Sequence, residues 1–347
     1  PRSTQSRSSA RQMCIRDSAL AAALTGCLHS DRIESFGGPT MGSTYSVKYV
    51  QAEGVAAKAE LQAATEAILA EVDEQMSTYR ADSAIEIFNR APAGSCQDMP
   101  QGVLELIAAG NRLHEESGGA FDLTLEPLLD LWGFGPKGKG EAVPSDEQLA
   151  QVRQRVGQRH LRIDGQRLCK DVDVEVDFNS IAAGYAVDKI IARLGQLGVR
   201  SYLVEATGEL KAAGRKPDGS HWRIGLEEPR DDQRVAQRIL QLDGYGISTS
   251  GDYRNYFEEN GQRYSHTLDP GSGRPVNHKL AAVTVADPST LRADGLSTLL
   301  MVLGPEAGKL FAERHQIAAF FVTREGEGFV TESTPQFEQL FAAGEEQ

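Results

Sequence analysis

The sharpest folding signal in the chain is Asp171-Val172-Asp173-Val174-Glu175-Val176-Asp177-Phe178, where three valines and a phenylalanine alternate with four acids. Successive side chains of an extended chain point to opposite faces, so the apolar residues share one face and the acids the other. The segment is predicted as a strand. Residues 181–197, apolar at helical spacing and closed by Gly198, are predicted as the helix that follows it.

Around this unit the elements alternate irregularly. Residues 44–50 read as a half-buried strand, and 55–76 carry Leu61, Ala64, Ile68 and Val72 at helical spacing. A second helix is predicted over 102–116, and an apolar, partly helical segment over 121–132 that runs into a Gly-rich loop. Ser145 ahead of Asp146 and Glu147 marks another helix start. Strands are expected from 202 and near 238–247, 263–268 and 281–285. Hairpins are expected at Lys216-Pro217-Asp218-Gly219-Ser220 and around Gly326, because Pro, Asp and Gly supply turn geometry. A helix over 291–303 is stopped by Gly304-Pro305, which opens the next one, and a short helix ends the chain. Irregular order with several hairpins predicts an α+β fold with mixed or antiparallel sheets and flanking helices, not a doubly wound parallel sheet. With no internal repeat or low-complexity linker after residue 35, one integrated catalytic unit is expected over 35–345.

The net charge of −13 argues against a nucleic-acid partner, since neutralising phosphates takes clustered Lys and Arg and no basic run follows the first twenty residues. No apolar run approaches the roughly 20 residues a membrane helix needs. The cysteines at 14, 27, 96 and 169 lack C-x-x-C spacing and the histidines lack H-E-x-x-H, so nothing in the spacing supports zinc; Cys96 and Cys169 can pair. Residues 1–34 are expected to be leader and spacer outside the fold. Within them the apolar run from Ala19 to Ala23, followed by Leu24-Thr25-Gly26-Cys27, resembles a bacterial lipoprotein signal. That resemblance implies lipidation at Cys27 and a protein anchored to the inner membrane on its periplasmic side, without crossing it. The alternative is a cysteine that falls by chance in a leader.

Gly133-Phe134-Gly135-Pro136-Lys137-Gly138-Lys139 satisfies both G-x-G-x-x-G and the opening of a P-loop. Context rejects both: no strand is predicted before it, Pro136 interrupts it, Gly140 stands where a Ser or Thr would hold Mg²⁺, and Pro144 blocks a long helix. It reads as a flexible loop. In Ala293-Asp294-Gly295-Leu296-Ser297-Thr298, Asp294 and Thr298 fall on one helical face, one turn apart. One carboxylate and one hydroxyl suit Mg²⁺, which keeps few protein ligands and completes its shell with phosphates and water; the same pattern is also a capped, solvated helix start. His266, in Tyr264-Ser265-His266-Thr267-Leu268-Asp269-Pro270, sits just before a turn at a sheet rim, where an imidazole can serve as a general base or as a structural residue. Ser117-Gly118-Gly119-Ala120-Phe121-Asp122 and Gly246-Ile247-Ser248-Thr249-Ser250-Gly251-Asp252-Tyr253 offer backbone N–H groups to an anion, and read equally as turn chemistry.

Taken in order, these motifs resemble the ApbE-type flavin transferases. The resemblance also rests on Thr40-Met41-Gly42-Ser43-Thr44-Tyr45, on Met76-Ser77-Thr78-Tyr79-Arg80 with Ser83 and Phe88-Asn89, and on Asp177-Phe178-Asn179-Ser180-Ile181-Ala182-Ala183-Gly184-Tyr185-Ala186-Val187-Asp188. It spans about residues 36 to 340. By that resemblance Asp294 and Thr298 would hold Mg²⁺ with a backbone carbonyl at Ala182. Met41 and Tyr79 would pack on the isoalloxazine ring of FAD, and Gly119, Asp122, Asp177 and Ser180 would lie along the FAD cleft. His266 would assist phosphoryl transfer. Two positions depart from the family: Ala183 stands where it usually carries Lys, and Thr207-Gly208 where Gly-Gly is common. The implied reaction is Mg²⁺-dependent transfer of FMN from FAD to a Thr or Ser of acceptor proteins, such as membrane redox-complex subunits, with release of AMP. An FAD pyrophosphatase, or a lipoprotein that only binds flavin, would use the same cleft.

Overall fold

The computed structural model describes residues 31–138, 142–229, 236–252, 255–326 and 328–341. Cys14 and Cys27, with the expectation of lipidation, lie outside the described residues, as do Lys139, Gly140 and Tyr253. Eight strands lie side by side in the order in which they occur along the chain: β1 (Arg32–Thr40), β2 (Ser43–Gln51), β3 (Tyr202–Ala206), β4 (Glu209–Ala213), β5 (Tyr245–Gly251), β6 (Leu280–Asp287), β7 (Ala318–Glu325) and β8 (Gly328–Ser333). Every neighbouring pair is antiparallel. The sheet starts at Arg32, so it takes in the last residues of the segment expected as spacer.

The strand side chains alternate between two cores. On β6, Val283 and Val285 join one core, and Ala282 and Ala286 the other; on β7, Ala319 and Phe321 are opposed by Ala318, Phe320 and Val322. Both faces are covered, which is why these strands read as continuous apolar runs. The larger core is covered by α1 (Lys58–Met76), α3 (Gln101–Glu116), α6 (Ala182–Gln196) and α7 (Thr290–Arg314), through residues such as Leu61, Ile107, Ile190 and Leu299. The other face packs on α8 (Pro335–Phe341) and a hairpin of Trp222–Glu227 with Ala236–Leu242. A third apolar cluster, with Leu128, Trp132, Leu149 and Phe257, joins α4 (Glu126–Trp132) and α5 (Asp146–Val152) to a hairpin of Tyr256–Glu259 with Gln262–Ser265. One short helix, α2 (Ala84–Asn89), follows α1.

Local chemistry sets the ends of these elements. Ser145 and Gln148 form a reciprocal capping box on α5. Gly304 breaks α7 at φ 79°, and Pro305 resumes it. The Met301 carbonyl freed there lies 2.8 Å from His278 Nε2, whose N–H it accepts.

Three expectations are corrected. Residues 171–178 form no strand and belong to no sheet: the chain bends at Asp171 and Val172, and the Val174 N–H donates to the Val172 carbonyl at 2.8 Å. The single strand expected over 238–247 is the second half of one hairpin and the start of β5, divided at Asp243 and Gly244. The Lys216–Ser220 turn exists, but it closes only an isolated bridge between Arg215 and His221. Cys96 and Cys169, which face each other on the paired strands Cys96–Asp98 and Arg167–Lys170, form a disulfide.

Candidate functional site

The irregular segment after Lys170 runs beside the cleft, and buried polar side chains take the place of a neighbouring strand. Lys170 Nζ donates to the Asn89 carbonyl at 2.9 Å and the Val174 carbonyl at 3.1 Å. Asn89 then pairs with Val176 as a strand would, donating through Nδ2 to its carbonyl (3.0 Å) and accepting its N–H at Oδ1 (2.8 Å). The Asp177 N–H donates to the Leu123 carbonyl at 2.8 Å. Each main-chain group held this way is spared an unpaired, buried state. The alternation therefore tells the buried side as far as Val176 and fails at Asp177, which is buried like its two neighbours, while the polar groups of the segment are matched by Lys170, Asn89 and Leu123 rather than by a ladder. The result is to deliver Asp177, Asn179 and Ser180 to the cleft.

The opposite wall is built where α6 and α7 touch. Gly184 allows the approach: a Cβ there would meet the Thr290 carbonyl oxygen at 2.4 Å and the Asp294 Cβ at 2.8 Å. Asp188 of α6 anchors the start of α7, accepting the Thr290 N–H (3.0 Å), the Leu291 N–H (3.1 Å) and the Ser289 hydroxyl (2.9 Å). So placed, Asp294 is buried with its Oδ2 accepting the Gly184 N–H at 2.9 Å. Glu209 from β4 approaches it. Burial raises the Asp294 carboxyl well above its ordinary range and the Glu209 charge adds to this; burial likewise pushes Glu209 up to about 7. Hydroxyls surround the two acids. Ser248 donates to Glu209 Oε1 at 3.3 Å, Ser250 and Ser297 are 2.8 Å apart, and Ser250 lies 3.4 Å from Thr298 Oγ1.

Two adjoining cavities open along these walls. One, of about 290 Å³, is lined by Asp294, Thr298, Glu209 and Ser180; the other, of about 610 Å³, by Met41, Tyr79, Phe134 and Ala182. Leu129, Asp177, Asn179 and His266 line both and so form the waist between them. Phe134 belongs to the loop rejected as a nucleotide motif, which here supplies a cavity wall. Met41, at φ 44°, and Gly42, at φ 72°, make the two-residue turn between β1 and β2 that presents Met41 to the larger cavity. Tyr79 is 70% exposed, and among the described residues no aromatic ring or cation stacks on its face.

His266 Nδ1 lies 3.0 Å from the Asn255 carbonyl. A carbonyl only accepts, so Nδ1 carries the proton and Nε2 keeps its lone pair. Burial lowers the His266 pKa, with the Asn255 bond and the Asp252 charge opposing the shift, and the ring is neutral at pH 7. Asp122 reaches the smaller cavity, but its carboxylate is occupied: Oδ1 accepts from Thr124 N (2.8 Å) and Oγ1 (2.5 Å), and Oδ2 from Gln158 N (3.0 Å). Gly119 lines a separate hollow of about 370 Å³ that also touches Asp122. Sequence reasoning brought Asp294, Thr298, Ser180 and His266 to one place and missed Glu209, a lone acid in a strand with no local signal.

An acidic, hydroxyl-lined corner is thus joined through a histidine waist to an aromatic hollow, and known proteins match the chain over nearly its whole length. The ApbE family profile covers residues 41–321. The chain belongs to the ApbE family. Among curated ApbE relatives, the FAD:protein FMN transferase of Vibrio cholerae is 42% identical over 92% of this chain and 96% of its own length. That of Escherichia coli is 36% identical over 94% and 97%. Among solved ApbE structures, the apo flavinyl transferase of Pseudomonas stutzeri superposes with a TM-score of 0.86 at 66% identity, covering 91% of this chain and 99% of that one. The Thermotoga maritima ApbE protein reaches 0.79 at 26% identity, covering 89% and 99%.

Proposed function

We propose that this ApbE protein moves FMN from FAD onto a Thr or Ser hydroxyl of an acceptor protein, with Mg²⁺ at Asp294 and Thr298 and release of AMP. The observation that carries the reading is the pair of joined cavities with His266 at their waist, long enough in sequence of chemistries to take a dinucleotide: aromatic wall, histidine, then acids and hydroxyls. The transferase names of the relatives point the same way.

The residues fit a hard divalent cation. Among the described residues no three His, Cys, Asp or Glu side chains form a cage, but the buried Asp294 and the half-buried Glu209, whose charge raises the Asp294 carboxyl, stand together, ringed by serine and threonine oxygens. Such a corner favours a cation that takes oxygen ligands and keeps sites for phosphate and water. Asp294 and Thr298 would hold it with the Ala182 carbonyl, and when bound it would stabilise the charge developing on the leaving phosphate. The acceptor hydroxyl attacks the phosphorus on the FMN side, the pyrophosphate P–O bond breaks toward AMP, and the hydroxyl proton passes to His266 Nε2. Tyr79 and Met41 would hold the isoalloxazine ring. The disulfide supports an oxidising compartment, in keeping with a periplasmic protein anchored at Cys27 and acting on membrane redox subunits.

Incubation with FAD and Mg²⁺, with and without an acceptor domain, tests this. A fluorescent covalent protein band is expected, and its loss in Asp294→Ala. Free FMN with no labelled acceptor would instead make the chain a pyrophosphatase, and bound but intact FAD would make it a flavin carrier.

A further inference from the structure

Glu126 opens α4 beside Asp177, fully shielded from solvent, and neither of its carboxylate oxygens meets an N–H or O–H donor among the described residues. An ionised carboxylate there gives up its hydration with nothing in exchange. The groups that face it make ionisation harder still. Asp177 is within hydrogen-bonding reach, Asp130 follows one turn along α4, and Tyr79 approaches from the connection between α1 and α2 with its phenol pushed up by partial burial and by these acids. The cation nearby is Lys137, and its ammonium is already engaged, at 2.8 Å from Glu175 Oε2 and 3.5 Å from Glu86 Oε1. Asp177, in contrast, is equipped for a negative charge: it accepts the Asn179 N–H at 2.6 Å and Asn179 Nδ2 at 2.8 Å.

We propose that Glu126 is carried as a neutral acid that donates its proton to the Asp177 carboxylate, which makes it a positioning residue for the waist of the cleft. Burial first, and the Asp177 charge second, push Glu126 up to about 10 from its ordinary 4.5. The shared proton leaves the waist with one negative charge instead of two, at the point where a pyrophosphate must pass. That last consequence rests on the FAD reading; the proton itself does not.

An acid whose folded pKa lies above its unfolded one takes up a proton on folding, so native stability falls as pH rises between the two values. Glu126→Gln keeps a donor toward Asp177 but has no proton to lose. Urea unfolding of the full chain from about pH 5 to about pH 9 should therefore find the variant's midpoint rising progressively above that of the wild type. A gap that stays constant across the range would overturn the proposal. Should the variant fail to fold, infrared spectra of Asp294→Asn, which lacks the other strongly raised carboxyl, should still contain the carbonyl band of a protonated carboxylic acid at about pH 8, and its absence would overturn the proposal. ADP, which carries the pyrophosphate without the flavin, should lose affinity for the wild type toward alkaline pH and keep it for Glu126→Gln. Wild-type ADP affinity that is flat with pH would overturn the role at the cleft. If neither protein binds ADP while the stability gap widens as expected, it is the FAD reading that has failed.

Discussion

Replacing Gly184 by alanine places one methyl group in the joint that positions the acidic corner. The new Cβ would stand 2.4 Å from the Thr290 carbonyl oxygen and 2.8 Å from the Asp294 Cβ, so α6 and α7 must part by roughly 1 Å before both contacts reach van der Waals range. Overpacking of this kind costs about 1–3 kcal/mol. The parting also stretches the 2.9 Å bond from the Gly184 N–H to Asp294 Oδ2, which fixes the carboxylate in place. A displacement near 1 Å at a reacting centre lowers turnover by about a hundredfold. Urea denaturation gives the stability loss, and the rate of FMN transfer to an acceptor domain at saturating FAD and Mg²⁺ gives the second effect. Gly184→Ala should give a folded protein about 2 kcal/mol less stable, with turnover reduced far more than FAD binding. Wild-type stability together with wild-type turnover would refute the claim that this contact sets the geometry of Asp294.

His266→Ala should slow transfer by a factor of about 10² to 10⁴ while FAD still binds, measured by single-turnover kinetics and flavin fluorescence. His266 and His278 both have pKa values lowered by burial from the ordinary 6.5, so the unfolded chain binds their protons first. Their contribution to stability is then complete above pH 6.5 and is lost as pH falls toward the folded values, which pH-dependent unfolding of wild type against His278→Gln will read. Tyr79→Ala should weaken FAD binding about tenfold, the worth of one aromatic stacking contact, with turnover on bound FAD retained; isothermal titration checks it, and unchanged affinity would remove Tyr79 from the flavin site. Reducing the Cys96–Cys169 bond, which closes a span of 73 residues, should cost about 4 kcal/mol by loop-closure entropy, seen as a lower urea midpoint in dithiothreitol than in its absence.

What the sequence made legible was whatever depends on near neighbours. Asp294 and Thr298 share a helical face because they are four apart, Ser145 caps because its hydroxyl reaches the N–H of Gln148 three residues on, and Gly304-Pro305 interrupts the helix it falls in. The segment from Asp171 marks the boundary of that approach. Its alternation assigns the buried side only as far as Val176, since Asp177 is buried too, and alternation says nothing about what lies alongside; here Lys170 and Asn89 stand where a strand was expected. Glu209 and Glu126 were invisible for a related reason. Each is an ordinary acid until residues far away in sequence bury it, Asp294 and Ser248 in one case and Asp177 in the other. The pairing of Cys96 with Cys169 was open from sequence because it depends on the register of two strands that only the fold brings together.

The spatial order of the main sheet repeats the order of synthesis, so each strand leaving the ribosome or a translocation pore finds its predecessor's edge waiting. The cleft obeys a different timetable, since its lining runs from Met41 to Val302. A growing chain can thus lay down most of its sheet while still unable to grip a nucleotide, and competence arrives late, when α7 docks against α6 and brings Asp294 with it.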